Sequence, residues 1–184
     1  MGHMRTLVAA LALVATVASA QAACPIDGAV PAGTVLTIRS AGAAQHLSFA
    51  DLAALPSAER VQRRTVASAD AASAPAQELS LGYGGVLLRD VLARALTGDA
   101  NSRAVRAATI EALATDGYRA AFSWGELFNS TTGDQVLVIT TQDGVPLSAE
   151  LGPLALRALA DLRPGPRHVR NLCALVVRVP GSAP

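Results

Sequence analysis

The stretch that decides the fold is residues 109–128, TIEALATDGYRAAFSWGELF. Its first part, Thr109 to Ala114, alternates in the manner of a β-strand, and Asp116-Gly117 supplies the turn chemistry that leads into a second strand, Tyr118 to Ser123. The pattern therefore predicts a β-hairpin. Trp124 to Phe128, which follows, has the character of a short helical segment.

Two more strands are predicted downstream of this hairpin. The apolar run Gln135 to Thr140 indicates one strand, and the pair Asp143-Gly144 closes it with another turn. A turn rich in arginine and proline, Pro164 to Arg170, then leads into a last apolar strand, Leu172 to Val179. The C-terminal half of the chain is thus expected to be mostly sheet.

The N-terminal half begins with a predicted strand and a short capped helix. Thr34 to Ser40 is the strand, since its apolar residues form a continuous run. Ser48 is placed to cap a helix, Asp51 three residues later completes a partial capping box, and Pro56 ends the helix.

The next segment is expected to alternate between strand, loop and helix. Val61 to Ala67 predicts a strand, and Ser68 to Gln77 predicts a loop because it lacks any periodicity. Gly84-Gly85 precedes a predicted helix from Val86 to Leu96, and one face of that helix is expected in the core: Leu87, Leu88, Val91, Leu92 and Leu96. Together these elements predict a single α+β domain with a mixed β-sheet core and short helices.

The order of these pieces resembles the molybdopterin-binding domain of the sulfite oxidase family. That family combines an Asp-Gly-Tyr hairpin, an Asp-Gly-x-Pro-Leu turn, a Gly-Pro-Leu segment and a basic turn before the last strand. The matching pieces are Asp116-Gly117-Tyr118, Asp143 to Leu147, Gly152-Pro153-Leu154 and Gly165 to Arg170, with further likeness at Phe49 to Pro56 and Gly85 to Leu92. The resemblance implies the sulfite-oxidase-type fold.

One residue of the family pattern is missing. Its enzymes hold molybdenum through one cysteine thiolate, placed between the first helix and the Gly-Val segment, and the interval from Arg64 to Gly85 contains no cysteine. Other side chains of that interval cannot imitate a soft thiolate. The resemblance therefore implies a protein that keeps the pterin-shaped fold without molybdenum, requires no cofactor, takes pterin as a ligand and is not an enzyme.

The N-terminus has the signals of an exported protein. Met1-Gly2-His3 has the character of an expression-tag remnant, Arg5 and the apolar run Leu7 to Ser19 follow, and Ala20-Gln21-Ala22 fits a cleavage site. Residues 1–22 are therefore expected to be tag remnant and signal peptide. A membrane helix is the alternative, but the run is short for a span.

The expected mature chain, 23–184, is periplasmic and carries two cysteines, Cys24 and Cys173. An even count in an oxidising compartment predicts one disulfide, while the alternative makes Cys173 a small buried apolar residue. Cys24 also lies near the cleavage site as a lipoprotein cysteine would, although Gln21 is a poor lipobox residue.

Charge gives no support for nucleic acid as a partner. The chain has 15 basic residues, all arginine, and loses Arg5 with the leader, which leaves 14 against 14 acidic residues. Binding to nucleic acid would require a basic surplus.

A pterin makes two demands, aromatic faces for its flat ring and a carboxylate for its donor edge. Four of the chain's six aromatic residues fall between Tyr118 and Phe128, among them the sole tryptophan, Trp124. Glu126 and Asp116 flank them and could meet the donor edge. The alternative is that these aromatics only pack in the core, and that Asp116 serves its Asp-Gly turn.

The basic turn supplies a second predicted group, Arg167, His168 and Arg170. In the family the matching turn wraps the pterin and its phosphate, and a guanidinium can bind oxyanions or stack on a flat ring. The alternative is an exposed, solvated turn. Glu150 replaces a histidine that some members place nearby, and its negative charge favours a free pterin over a phosphorylated molybdopterin.

The resemblance extends to small periplasmic, PruR-like pterin-binding proteins. It implies an exported protein that captures a pterin and relays it to the periplasmic sensor domain of a membrane-bound cyclic-di-GMP enzyme, a diguanylate cyclase or phosphodiesterase. Two alternatives stay open. One is a molybdopterin-dependent oxidoreductase subunit, and the other is a cofactor-free periplasmic interaction module.

Overall fold

The computed structural model describes residues 23–66, 77–96, 102–163 and 165–181. The predicted leader, nearly all of the predicted loop at Ser68 to Gln77, and Pro164 lie outside the described residues. Within them the strands are β1 (Leu36–Ser40), β2 (Ala43–Leu47), β3 (Ser57–Val66), β4 (Gln77–Leu87), β5 (Thr109–Ala114), β6 (Arg119–Ser123), β7 (Val136–Gln142), β8 (Val145–Pro146), β9 (Ala155–Ala158), β10 (His168–Val169) and β11 (Leu172–Arg178). The helices are α1 (Phe49–Ala53), α2 (Leu88–Ala95) and α3 (Trp124–Phe128), and 3-10 turns lie at Val105–Ala107 and Thr131–Gln135.

The strands form two sheets. The first has the order β2-β1-β11-β5-β6, in which β1 and β11 run parallel and every other pair is antiparallel. The second has the order β10-β9-β7-β4-β3, with β8 added to β7, and is antiparallel throughout. Mixed sheets with few short helices confirm the α+β class.

The main core takes side chains from both sheets and from α2. Leu36 and Ile110 come from the first sheet, Val138 from the second and Leu92 from α2, and each is at most 2% exposed. The opposite face of the second sheet has a smaller apolar cluster, which consists of Ala58, Tyr83, Leu87, Leu137, Ile139 and Ala155. Strand β7 is therefore buried on both faces, as its continuous apolar sequence requires.

Several predicted elements are confirmed. β5 has the predicted bounds, β6 and β11 differ from prediction by one residue at one end, and α1 has the expected capping box between Ser48 and Asp51. Cys24 and Cys173 form the predicted disulfide, with their Cα atoms 5.7 Å apart.

The boundaries around β3 and β4 are wrong in the prediction. β3 begins at Ser57 rather than Val61, and the expected helix start at Val86 belongs to β4. The reason is tertiary, because β4 pairs with β3 and β7, and a bulge at Gly84/Gly85 brings its backbone against β7. A Cβ atom at Gly85 would lie 2.1 Å from the Val138 carbonyl oxygen. The predicted apolar face is nonetheless buried.

Candidate functional site

The predicted aromatic group is packed around the start of α3. Ser123 caps this helix, since the Glu126 amide donates to its Oγ at 3.0 Å and the Ser123 amide donates to Glu126 Oε2 at 3.4 Å. The Trp124 ring stacks on Phe128 with centroids 4.9 Å apart. One carboxylate oxygen of Glu126 is therefore used by the helix cap, and one face of Trp124 is covered.

Arg167 lies against the same group and is fully engaged. Its Nε donates to Asp161 Oδ2 at 2.8 Å, and its two terminal nitrogens pair with Asp161 and Glu126. Its guanidinium lies 4.9 Å from the centroid of the Phe122 ring. The hydrogen bonds to Asp161, and then those to Glu126, raise the pKa of Arg167. The structure thus brings the predicted Glu126 and Arg167 together, as partners of each other.

Asp116 and Tyr118 hold the hairpin turn and the basic turn. Asp116 Oδ1 accepts from the Tyr118 amide at 2.9 Å, so this carboxylate is the turn residue that its Asp-Gly context indicates. The Tyr118 hydroxyl donates to the Pro166 carbonyl at 2.7 Å. Tyr118 therefore ties the β5–β6 hairpin to the segment that precedes Arg167.

A second polar group lies on the outer face of the second sheet and centres on Arg157 of β9. Its Nη1 donates to Gln62 Oε1 on β3 at 2.9 Å, and its Nη2 lies 3.0 Å from His168 Nδ1 on β10. The Arg157 guanidinium also lies over the ring of Tyr83 on β4, with its central carbon 4.8 Å from the ring centroid. The side chain of Arg157 therefore contacts one residue from each of the two edge strands, β10 and β3.

The protonation of His168 follows from this contact. Arginine can only donate, so His168 Nδ1 accepts and the ring proton of neutral imidazole is on Nε2. Burial, and then the charges of Arg157, Arg170 and Arg64, lower the pKa of His168 to about 4. At neutral pH the ring is uncharged and presents an Nε2–H donor.

Four polar atoms of this group are buried without a hydrogen-bond partner among the described residues: Arg64 Nε, Tyr83 Oη, Arg157 Nε and His168 Nε2. Burial raises the pKa of Tyr83, which keeps its hydroxyl protonated. Within the described part of the chain, Arg64, Arg157 and Arg170 make no ion pair. We call Arg64, Tyr83, Arg157 and His168, together with the exposed Arg170 whose charge acts on His168, the donor cluster.

The donor cluster has an excess of donors over acceptors and an excess of positive charge. Buried polar groups in proteins are normally satisfied, and unsatisfied ones cluster at functional sites. A ligand with carbonyl or anionic oxygens, or with ring nitrogen acceptors, would satisfy them. Trp124 Nε1 is also buried without a described partner, at the start of α3.

Of the donor cluster, sequence reasoning identified His168 and Arg170 and missed Arg64, Tyr83 and Arg157. These three come from separate strands, and only the sheet brings them together. The sequence carries no signal for them, because the apolar residue of this stretch, Val61, is exposed and the polar Gln62 is buried.

Two clefts, of about 700 and 470 Å³, lie elsewhere, along the first sheet and the N-terminal segment. The larger is lined by both cysteines, Phe49 and Asn171, and neither is lined by Trp124 or by the donor cluster. In the described ranges there is no group of three or more His, Cys, Asp or Glu that could hold a metal ion. No described helix has the length and apolarity needed to span a bilayer.

The cysteines decide whether this chain could hold molybdenum through a thiolate, as the enzymes of the resembled family do. The chain has two, and both are in the Cys24–Cys173 disulfide. Neither can supply the thiolate that the family's enzymes use, so the residues present do not fit that group.

The two sheets and short helices support a sulfite-oxidase-like fold. The crystal structure of the sulfane dehydrogenase SoxCD from Paracoccus pantotrophus is similar, with a TM-score of 0.56 and 16% sequence identity over 77% of this chain. The chain covers 37% of that protein, well under half of its length. No family model matches the sequence, and no curated protein matches it. At this identity the similarity shows the fold alone.

Proposed function

We propose that this protein is an exported pterin-binding protein that works without molybdenum and without turnover. The observation that carries the proposal is the donor cluster, which has four buried donor atoms without a described hydrogen-bond partner, on a sulfite-oxidase-like fold. A pterin ring offers a carbonyl oxygen and ring nitrogens as acceptors, and its flat face suits stacking on a guanidinium. Arg157, which already lies over Tyr83, has the position for both contacts.

The originally predicted residues take a supporting role in this proposal. Glu126 and Arg167 form an ion pair, so neither side chain can bind the ligand without breaking its hydrogen bond to the other. Their network with Asp161 holds the segment that leads into β10, which carries His168. We assign Glu126 and Arg167 the role of positioning residues for the donor cluster.

The proposal is tested by what the protein carries when it is purified. The whole sequence is expressed with its leader, the protein is isolated from the periplasm and denatured, and the supernatant is assayed for pteridine fluorescence and molybdenum. Pterin without metal supports the proposal. Pterin together with stoichiometric molybdenum would contradict the proposal and support the alternative of a molybdopterin-dependent oxidoreductase subunit. Recovery of the protein only from the cytoplasm would contradict export.

A cofactor-free interaction module is the second candidate, and the packing around α3 favours it. Trp124 stacks on Phe128, and Arg167 joins Glu126 to Asp161, so the segment first predicted to receive a pterin is filled by its own side chains. This candidate predicts no binding of oxidised or tetrahydro pterin in a calorimetric titration. It also predicts that Trp124→Ala disturbs folding without any ligand effect.

We extend the proposal to a partner, the periplasmic domain of a membrane-bound cyclic-di-GMP enzyme. Its support is the resemblance of the sequence to PruR-like proteins. The pterin-loaded protein is expected to bind the isolated periplasmic domain more tightly than the ligand-free protein does. Equal affinity with and without pterin, measured by titration, would contradict the relay.

A further inference from the structure

The edge strand of the second sheet, β3, has one long edge with which no described strand pairs. It pairs with β4 over all ten of its residues, from Ser57 to Val66, and no strand in the described ranges pairs with its other side. Its exposed positions include Glu59, Val61 and Arg63, which lie on the face opposite the donor cluster, and Val61 is 64% exposed. An exposed edge of this length is a template for pairing with another strand.

The sequence of this edge is complementary to itself. In an antiparallel pair of two identical β3 strands related by a two-fold axis normal to the sheet, opposite residues share a face, so only registers that centre on one residue are possible. Centred on Val61, the register places Glu59 of each copy opposite Arg63 of the other. Val61 then lies opposite its own copy, and each of the two side chains covers part of the other's exposed surface.

The neighbouring registers are all unfavourable. A register centred on Arg60 or on Arg63 places that arginine opposite its own copy, and one centred on Gln62 places Arg60 opposite Arg64. A register centred on Glu59 places two glutamates together. Like charges directly opposite are destabilising and opposite charges stabilise a cross-strand pair. Of these registers, only the one centred on Val61 has two favourable charge pairs and no like-charge pair.

We propose that β3 is a docking edge for a second copy of this chain, which forms a two-fold dimer centred on Val61. The dimer continues the second sheet across the axis and brings the two Val61 side chains together, while Glu59 and Arg63 set the register. The inference is independent of ligand binding. Arg63 also lies 3.9 Å from Glu78 in an exposed pair, which contributes little to stability and leaves Arg63 available.

The test is charge reversal with rescue, read by sedimentation velocity over a concentration series from micromolar to submillimolar. Glu59→Arg and Arg63→Glu each convert two favourable pairs into two like-charge pairs, and each is expected to raise the dimer dissociation constant about 10- to 100-fold. The double variant, with both reversals, restores opposite charges and is expected to return the constant to near the wild-type value. Arg103→Glu, a reversal at an exposed residue outside the sheets, is the matched control.

Two results would overturn the proposal. One is a wild-type protein that stays monomeric throughout the series. The other is a dimer whose dissociation constant responds to Glu59→Arg and Arg63→Glu no more than to Arg103→Glu, since its interface would then lie on another surface. Thermal unfolding of each variant separates loss of the dimer from loss of the fold.

Discussion

Tyr83→Phe is predicted to stabilise the free protein and to weaken its binding of pterin. Tyr83 is 2% exposed, and its hydroxyl has no described partner. Burying such a group costs about 1 to 3 kcal/mol, and phenylalanine keeps the ring that Arg157 covers. We therefore expect the free energy of unfolding to rise by about 1 kcal/mol, at the lower end of that range.

The same substitution removes one donor from the ligand site. Loss of one hydrogen bond to a bound pterin is expected to weaken binding by about 1 kcal/mol, or roughly fivefold to tenfold in the dissociation constant. Stability and affinity therefore move in opposite directions.

Urea unfolding and calorimetric titration of tetrahydro pterin measure these two effects. Ile110→Val is the control, because it removes one buried methyl group in the main core, where only packing is lost. It is expected to lower stability. The reasoning would be refuted if Tyr83→Phe lowered the free energy of unfolding by more than about 1 kcal/mol, since that hydroxyl would then have a stabilising partner.

Three further predictions concern stability. The folded-state pKa of His168, about 4, lies below its usual value of 6.5, so the stability it contributes is present above pH 6.5 and is lost as pH falls toward 4. When the pH falls from 7 to 5, the free energy of unfolding of wild type, measured in urea, should fall by at most about 2 kcal/mol more than that of His168→Gln. Equal decreases in the two proteins would refute this prediction. Replacing both cysteines, Cys24→Ala with Cys173→Ala, should lower the free energy of unfolding by about 5 kcal/mol, because the disulfide closes a loop of 149 residues. Reduced wild type should then have the same free energy of unfolding as the double variant. Gly85→Ala should lower the free energy of unfolding by about 3 kcal/mol, because the added Cβ would contact the backbone of β7. Gly125→Ala in α3 is the control, since its Cβ meets open space and should leave that free energy unchanged. Similar losses from both variants would contradict the close approach of β4 to β7.

The elements that sequence predicted well are those fixed by local chemistry. The β5–β6 hairpin depends on Asp116-Gly117, and α1 depends on the capping box of Ser48 with Asp51. The boundary between β4 and α2 was missed because an apolar run suits either a buried strand or a helix face. Only the approach of β7 to Gly84-Gly85, which the sequence does not display, decides it.

In the candidate site, too, residue types could be read from the sequence, whereas contacts between distant segments could not. The prediction that Glu126 and Arg167 contact a ligand rests on their residue types, and residue types do not reveal that the two side chains pair with each other across 41 positions of the chain. Arg64 and Arg157 were missed because they stand on strands that are neighbours only through β4 and β7. Long-range pairing, rather than composition, concentrates the unsatisfied donors.

One measurement tests the central claim most directly, the titration of the protein with tetrahydro pterin while the side-chain nitrogens of its histidines are followed by NMR. The account predicts saturable one-to-one binding with a shift of the His168 Nε2 signal, and no shift at His46, which contacts Thr37 in the first sheet. Absence of binding, or binding that leaves His168 Nε2 unchanged, would contradict a pterin site at the donor cluster.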